Sequence, residues 1–248
     1  MSGAVPYHRR ERSPLLPVLL DAQTAPRSLA EAYAAMAAQA AATPGSWTAW
    51  KLGGTNAASR AAFGVATPYF GALHRDEVLD RPAAAPGFAL FELRGEVEPA
   101  VRIAPSGEGF DACCVALEMP SSPVADLPSV GVAALVADRC AAGALLLGPA
   151  SPPAAMAALE AGRLTLEIDG AAAGEGGLDA LVASPAACLA DFLALARGLG
   201  FAPRPGDWVA LGGVTPCLDL PEGARVRVLL DDAAQLDFTV SAGPRADG

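Results

Sequence analysis

The chain has 248 residues, of which 52% are hydrophobic and 18% charged, and its formal net charge is −10. Such an apolar composition supplies a core and argues against disorder, and the length fits one large domain or two small ones. The acidic balance argues against a nucleic-acid partner, because phosphate binding needs clustered Lys and Arg. It does not exclude an anionic substrate, since a bound divalent cation can reverse the local field.

The cysteines and the apolar segments indicate where in the cell the protein is expected. The five cysteines are an odd number without CxxC spacing, which predicts buried free thiols in a reducing cytoplasm. The apolar run 15–20 is interrupted by Pro17 and is too short for a secretion signal. No segment approaches the roughly 18 apolar residues of a membrane span. We therefore expect a cytoplasmic protein with no membrane partner.

The N-terminal part predicts an arm followed by two helices with a strand between them. Residues 1–27 contain Pro and Arg without a clear period and are expected to form an arm. The spacing of Ser28 and Glu31 is that of a capping box, so a helix is expected to begin there. The predicted elements are the helix from Ser28 to the stop at 43–45, a strand at 47–52 and a helix at 57–63.

The remainder predicts more strands than helices, and we read residues 28–241 as one domain with a tail at 242–248. Gly95 is expected to separate two of the strands. The predicted strands are 88–93, 96–103, 115–119, 144–147, 208–211, 225–230 and 236–240, with a hairpin over 164–177 and helices at 133–140 and from Ser184 to Gly198. The pattern indicates a mixed α/β chain whose second half resembles a rolled β-sheet.

Three carboxylates occupy positions that are unusual for charge. Glu96 and Glu98 are two apart on a predicted strand, so both side chains leave one face about 7 Å apart. Like charges so placed repel each other unless a cation lies between them. Glu118 ends the apolar run 115–117, where an unpaired charge is costly to bury. Three oxygen donors suit Mg²⁺ or Mn²⁺; the alternative is a solvated strand face, because E-x-E alone is a weak motif.

Lys51 is the second candidate for chemistry. It lies between Trp50 and the glycines Gly53 and Gly54, whose turn lets a ligand approach the backbone. A Lys near an apolar wall and a metal can have a lowered pKa and move protons. The alternative is a surface Lys whose stem covers the neighbouring aromatic ring.

Glu96-Val97-Glu98 and Ala116-Leu117-Glu118 stand in one order with the segments 49–56, 63–65, 67–73, 136–148 and 206–216. Taken together, these segments resemble the 2-oxopent-4-enoate hydratase and 4-oxalocrotonate decarboxylase family of the fumarylacetoacetate hydrolase-like superfamily. Glu96-Val97-Glu98 resembles the metal motif of that family, and Ala116-Leu117-Glu118 its third-ligand strand. The match covers residues 29–240 in the same order.

The resemblance implies a mixed α/β fold with a rolled β-sheet or β-barrel core and peripheral helices. It implies a homo-oligomeric enzyme that uses Mg²⁺ or Mn²⁺ on short unsaturated 2-oxo acids through a metal-stabilised enolate, hydration being the leading expectation. The residues implied are the metal ligands Glu96, Glu98 and Glu118, the proton shuttle Lys51, and the substrate contacts Gly53, Gly54 and Thr215.

Departures from the family pattern leave other functions open. Tyr69 stands where the family often has Asp, and as an acid it can donate a proton, whereas its reference pKa near 10 makes it a poor base. Arg139 and Ala142 stand where Asn and Ser are common. The alternatives are a 4-oxalocrotonate-type decarboxylase, a related C–C hydrolase that would need a base such as His8 or His74, and a non-catalytic subunit that binds metal and oxo acid or serves assembly.

Overall fold

The computed structural model describes residues 25–84, 90–124 and 127–241. The helices are α1 (Leu29–Ala42), α2 (Ala57–Phe63), α3 (Leu127–Val130), α4 (Val132–Ala137), α5 (Met156–Ala161) and α6 (Pro185–Gly198). The strands are β1 (Trp47–Gly53), β2 (Tyr69–His74), β3 (Val78–Asp80), β4 (Arg94–Ile103), β5 (Phe110–Met119), β6 (Ala144–Leu147), β7 (Leu164–Ile168), β8 (Ala171–Gly176), β9 (Trp208–Ala210), β10 (Leu218–Asp219), β11 (Arg225–Leu230) and β12 (Ala233–Thr239).

The strands form two sheets. The larger has eight strands in the order β2-β1-β9-β4-β5-β6-β3, with β10 paired to β4, and the smaller has the order β12-β11-β7-β8. Lys51 on β1 contacts Glu118 on β5, although β9 and β4 lie between these strands. Three strand spacings span about 14 Å in a flat sheet, so the larger sheet curls around the contact. This is the mixed α/β fold with a rolled sheet that the sequence predicted. The rolled sheet was expected in the second half of the chain, whereas β1 to β5 come from its first half.

The helix ends follow local chemistry. The Ser28 hydroxyl accepts from the Glu31 N–H at the start of α1, and the Ser184 hydroxyl accepts from the Ala187 N–H at the start of α6. Pro185 occupies the first turn of α6, where its missing N–H has no helical partner to lose. These two helices begin where the sequence predicted.

An aromatic cluster packs beneath β1 and β2. The Trp50 indole donates to Asp207 at 3.0 Å, and the Tyr33 hydroxyl accepts from the Phe70 N–H at 3.0 Å. The rings in mutual contact are those of Tyr33, Trp47, Trp50, Phe70, Phe192 and Phe201. Because residues alternate along a strand, burying Trp50 on this side sends Lys51 to the other face of β1.

Several predicted elements are wrong in extent: the strands predicted at 115–119 and 236–240 begin earlier, as Phe110–Met119 and Ala233–Thr239. Residues 90–93 form no strand, and β4 runs unbroken through Gly95, which pairs with Leu218 of β10. Because Gly95 is paired in this way, it continues the strand and does not end it. The helix predicted at 133–140 ends at Ala137, and the chain then enters a left-handed turn at 139–141.

The chain ends lie mostly outside the described residues, including nearly all of the predicted arm 1–27 and the tail 242–248. The main hydrophobic cluster runs from Ala32 to Val240, and the boundaries at 28 and 241 stay a prediction. None of the helices in the described ranges combines the length and apolar character that a membrane span requires. All five cysteines are free thiols, and only Cys217 is not fully buried.

Candidate metal centre

The register of β4 against β5 brings the three predicted carboxylates together. Glu96 lies directly opposite Glu118, and Glu98 lies two residues further along the same face of β4. Their nearest carboxylate oxygens all fall within 4.8 Å of one another. An octahedral Mg²⁺ with oxygens at about 2.1 Å separates opposite ligands by about 4.2 Å and adjacent ligands by about 3.0 Å. The three oxygens would have to move closer together to bind one such cation.

The three carboxylates lie in an environment that opposes their charge. Glu98 and Glu118 are each 1% exposed, and the Gly212 N–H donates to Oε2 of Glu98 at 2.9 Å. Burial, together with the charge of Glu118, raises the pKa of Glu96 to about 7. The same two causes, followed by the charge of Glu96, raise the pKa of Glu98 well above its ordinary value. Like charges held this close in a buried place favour either a proton or a cation between them.

Lys51 lies against this cluster. Its ammonium donates to Oε1 of Glu118 and, at 2.8 Å, to the backbone carbonyl of Cys140. Burial, the largest single cause, lowers the pKa of Lys51, but the charge and hydrogen bond of Glu118 together with Cys140 and Glu98 outweigh it, so the pKa lies above its ordinary value. The predicted lowering assumes a metal ion beside Lys51, whereas this direction belongs to the metal-free site, in which Glu118 faces the ammonium. The lowering stays a prediction for the metal-bound site. The alternative of a surface Lys is wrong, since Lys51 is 7% exposed.

A cavity of about 470 Å³ opens onto the three carboxylates. Six of the eight predicted site residues line it: Lys51, Gly53, Tyr69, Glu96, Glu98 and Glu118. Gly54 and Thr215 are not among its lining residues. The structure therefore gathers the predicted proton-transfer and metal-binding groups around one space and leaves two predicted substrate contacts behind its wall.

Gly53 and Gly54 serve the packing of the chain around Tyr69. Gly53 pairs with Tyr69 across β1 and β2, and a Cβ at Gly53 would lie 2.1 Å from Cε2 of the tyrosine ring. The ring thus occupies the space that a side chain would take. Gly54 has φ +68°, a left-handed conformation that glycine adopts readily. The 4%-exposed Tyr69 forms cavity wall over Gly53, and burial raises its phenolic pKa.

Thr215 fastens the loop 211–216 to β4. Its hydroxyl accepts from the Val97 N–H at 3.0 Å, and the Val214 N–H donates to the Val97 carbonyl at 2.9 Å. This loop carries Gly212, whose N–H reaches Glu98. The Thr215 O–H itself donates to the Pro216 carbonyl at 3.3 Å, so a direct contact with a substrate carboxylate would require this hydrogen bond to be exchanged.

His74 lies away from the cavity. It ends β2, is 8% exposed, hydrogen-bonds Ser46 through Nδ1 at 3.0 Å and packs edge-on against Trp47. It is therefore neither a surface-loop residue nor a cavity base, and no histidine of the described ranges lines the cavity. His8 lies outside the described residues.

Sequence reasoning missed several polar residues of the cavity wall. Arg94 could have been predicted from its spacing. It precedes Glu96 by two positions on β4, so both side chains lie on the same face of the strand, and Arg94 lines the cavity. The guanidinium donates to the Cys217 carbonyl at 3.1 Å and pairs with the exposed Asp219 at 3.2 Å. Asn56, Ser121 and Cys217 also line the cavity, and nothing in their local pattern marks them.

No family model matches the sequence, and no curated protein matches it. The structure is similar to 4-oxalocrotonate decarboxylase from Pseudomonas putida G7, solved in complex with magnesium and adipate and with calcium and acetate. Each of these two structures is 18% identical, with a TM-score of 0.72 over 86% of this chain and 86% of that chain. The chain shares the fold of this decarboxylase.

A second likeness has the same fold with a different activity. Fumarylpyruvate hydrolase from Pseudomonas aeruginosa, in complex with Mn²⁺ and pyruvate, is 21% identical, with a TM-score of 0.55 over 78% of this chain and 89% of that chain. Both likenesses confirm the predicted fold class. At these identities they concern the fold, and function must be argued from the site.

Proposed function

We propose that the chain is a divalent-cation-dependent enzyme that acts on short unsaturated 2-oxo acids. The observation that carries the proposal is the buried cluster of Glu96, Glu98 and Glu118, which opens onto a 470 Å³ cavity beside Lys51. Proteins of the same fold have been solved with magnesium, calcium and Mn²⁺, which supports a metal at this place.

The three carboxylates suit a hard divalent cation. All of their donors are oxygens, the ligand type that Mg²⁺ and Mn²⁺ prefer. Within the described ranges, Lys51 is the one ammonium in direct contact with the cluster, so three ionised carboxylates leave a net negative charge that a divalent ion would balance. A cation bound there supplies a Lewis acid that stabilises the enolate charge of a 2-oxo acid.

Lys51 and Tyr69 are the candidate proton-transfer groups. The Lys51 ammonium is anchored by two acceptors, and a third N–H is left for a ligand in the cavity. It can donate a proton to an enolate carbon and take it back. The buried Tyr69 hydroxyl is suited to donating a hydrogen bond, because its raised pKa keeps it protonated.

Hydration of a 2-oxopent-4-enoate-type acid stays our leading prediction, and decarboxylation of a 4-oxalocrotonate-type acid is the second candidate. The second gains support from Arg94, which adds a cation to the cavity wall. Its partners Asp219 and Glu92 are 89% and 69% exposed, so a substrate carboxylate can replace them at little cost. A second carboxylate is what distinguishes the decarboxylase substrate from the hydratase substrate.

The activity test uses purified protein with Mg²⁺ and freshly generated 2-hydroxypenta-2,4-dienoate. Loss of the conjugated absorbance with gain of one water by mass supports the hydratase. Release of carbon dioxide from a 4-oxalocrotonate-type substrate supports the decarboxylase instead. Lys51→Ala should abolish either rate while the protein still binds Mn²⁺. If the wild type is inactive on both substrates, a non-catalytic metal- and oxo-acid-binding or assembly subunit becomes the better reading.

The metal site is tested separately by calorimetry with Mn²⁺. Glu98→Gln should weaken binding by more than about a hundredfold, because it removes a charged ligand from a buried position, 1% exposed. Glu160→Gln is the matched control, since this exposed glutamate lies on α5. Unchanged Mn²⁺ affinity in Glu98→Gln would remove the basis of the proposed site. The homo-oligomer and the cytoplasmic location stay predictions.

A further inference from the structure

The turn 139–141 after α4 has an unusual backbone. Arg139, Cys140 and Ala141 have φ values of 52°, 59° and 55°. Residues with a Cβ are disfavoured in this left-handed region, and three in succession are rarer still. Such a conformation persists only where surrounding contacts hold it.

A buried ion pair holds this turn against β2 and the segment that follows it. The Arg139 guanidinium donates to both oxygens of Glu77, at 2.7 and 2.9 Å, and to the Ala72 carbonyl at 2.9 Å. Both side chains are 7% exposed. The Arg139 carbonyl packs onto Gly71, where a Cβ would lie 2.0 Å from its oxygen. Side chain and backbone of Arg139 are thus both fixed.

The consequence of the turn lies at its middle residue. The Cys140 carbonyl accepts from the Lys51 ammonium at 2.8 Å. The other acceptor of Lys51 is Glu118, a member of the carboxylate cluster. A right-handed conformation at 139–141 would turn the Cys140 carbonyl elsewhere and leave Glu118 alone to place the ammonium.

We propose that Arg139, held by Glu77, is a positioning residue: it keeps the turn 139–141 left-handed so that the Cys140 carbonyl fixes the Lys51 ammonium between the carboxylate cluster and the cavity. The inference rests on the proposed function for its catalytic consequence, but the geometry of Lys51 is measurable without turnover. Arg139 itself is not among the residues that line the cavity.

The test replaces Arg139 by Met, which keeps an apolar stem and removes the guanidinium. The readout is the rate at which an amine-acylating reagent modifies Lys51 at one fixed pH, quantified by peptide mass spectrometry on the full-length protein. We expect acylation to be about tenfold faster or more in Arg139→Met, with kcat reduced to a similar extent and KM little changed, because a misplaced proton-transfer group costs rate.

A second substitution separates positioning from stability. Glycine adopts the left-handed region without a steric penalty, so Arg139→Met with Ala141→Gly should restore slow acylation and recover kcat. Arg227→Met is the matched control, since it removes another Arg–Glu pair, at 2.8 Å on the smaller sheet. It should lower the thermal midpoint without changing the acylation of Lys51.

Should Arg139→Met fail to fold, Arg139→Lys keeps the charge without the bidentate geometry and is expected to give an intermediate acylation rate.

Two results would overturn the inference. One is a lowered thermal midpoint in Arg139→Met with wild-type acylation of Lys51, which assigns the ion pair to stability alone. The other is faster acylation that Ala141→Gly leaves uncorrected. Absence of activity in the wild type would count against the proposed function only, because the acylation of Lys51 is measured without substrate.

Discussion

Glu96 is the member of the carboxylate cluster with the most solvent contact, and its ionisation links the site to folding. Burial and the charge of Glu118 raise its pKa from 4.5 to about 7, against the opposing charges of Lys51 and Arg94. The folded metal-free protein therefore binds a proton at Glu96 that the unfolded chain releases above about pH 4.5. Between pH 4.5 and 7 the folded state holds this proton and the unfolded state does not. The free energy of unfolding therefore falls as the pH rises through this range.

We expect metal-free wild-type protein to lose up to about 3 kcal/mol of unfolding free energy through Glu96 between pH 4.5 and 7. Glu96→Gln should lack this part of the pH dependence, since the amide does not titrate. Urea unfolding in the presence of a chelator at pH 5, 6, 7 and 8 measures the difference. If the unfolding free energy of the two proteins depends on pH in the same way, the pKa of Glu96 is not raised by folding. The three carboxylates would then lie further apart, or closer to water, than in this structure.

How much of the site was predictable differs from residue to residue. The E-x-E spacing placed Glu96 and Glu98 on one face, and the order of the motifs added Glu118 and Lys51. The direction of the Lys51 pKa shift was not predictable, because it depends on Glu118, 67 residues away. The Cys140 carbonyl was not predictable either, since a backbone acceptor leaves no signature in residue type.

At the scale of the elements, the pairing of β1 with β2 decides the shape of the cavity wall. Gly53 and Tyr69 are register partners, and the ring covers the glycine. The glycine is therefore required by the neighbouring strand. Local signals indicated the ends of α1 and α6, where caps are built from adjacent residues. They were misleading at Gly95 and at the end of α4, where distant partners decide the backbone.

Gly53→Ala should destabilise the protein by about 1–3 kcal/mol, because the new methyl group overlaps the Tyr69 ring. When Tyr69 is already replaced by Ala, Gly53→Ala should lower the free energy of unfolding far less. The coupling energy between the two positions should therefore be about 1 kcal/mol or more. Chemical denaturation of the four proteins of this cycle measures the coupling. Gly198→Ala is the control, since nothing lies within 4 Å of the added Cβ there. Additive effects in the cycle would contradict the packing of Tyr69 on Gly53.

At the scale of the whole molecule, the carboxylate cluster lies where distant parts of the chain converge. Lys51 comes from β1, Glu96 and Glu98 from β4, Glu118 from β5, and the Gly212 N–H from the loop after β9. The curl of the larger sheet is what brings β1 to β5. Sequence analysis could predict strands and a rolled sheet, but the degree of curl follows from packing across the whole core.

This convergence predicts that a divalent cation stabilises the entire fold. A ligand that binds only the folded state adds about 2.7 kcal/mol when its free concentration is a hundred times its Kd. Mn²⁺ should therefore raise the thermal midpoint in a concentration-dependent and chelator-reversible manner. The effect should increase from pH 6 to pH 8, because Glu96 must lose its proton before it can bind the ion.

The matched comparison for this prediction is Glu98→Gln, which keeps the shape of the side chain and removes its charge. Its metal-free midpoint should equal or exceed that of the wild type, because one of three crowded carboxylates is neutralised. Mn²⁺ should then give it little further stabilisation. An equal rise of both midpoints with Mn²⁺ would mean that the ion binds elsewhere, and that the strands meet at this cluster for packing alone.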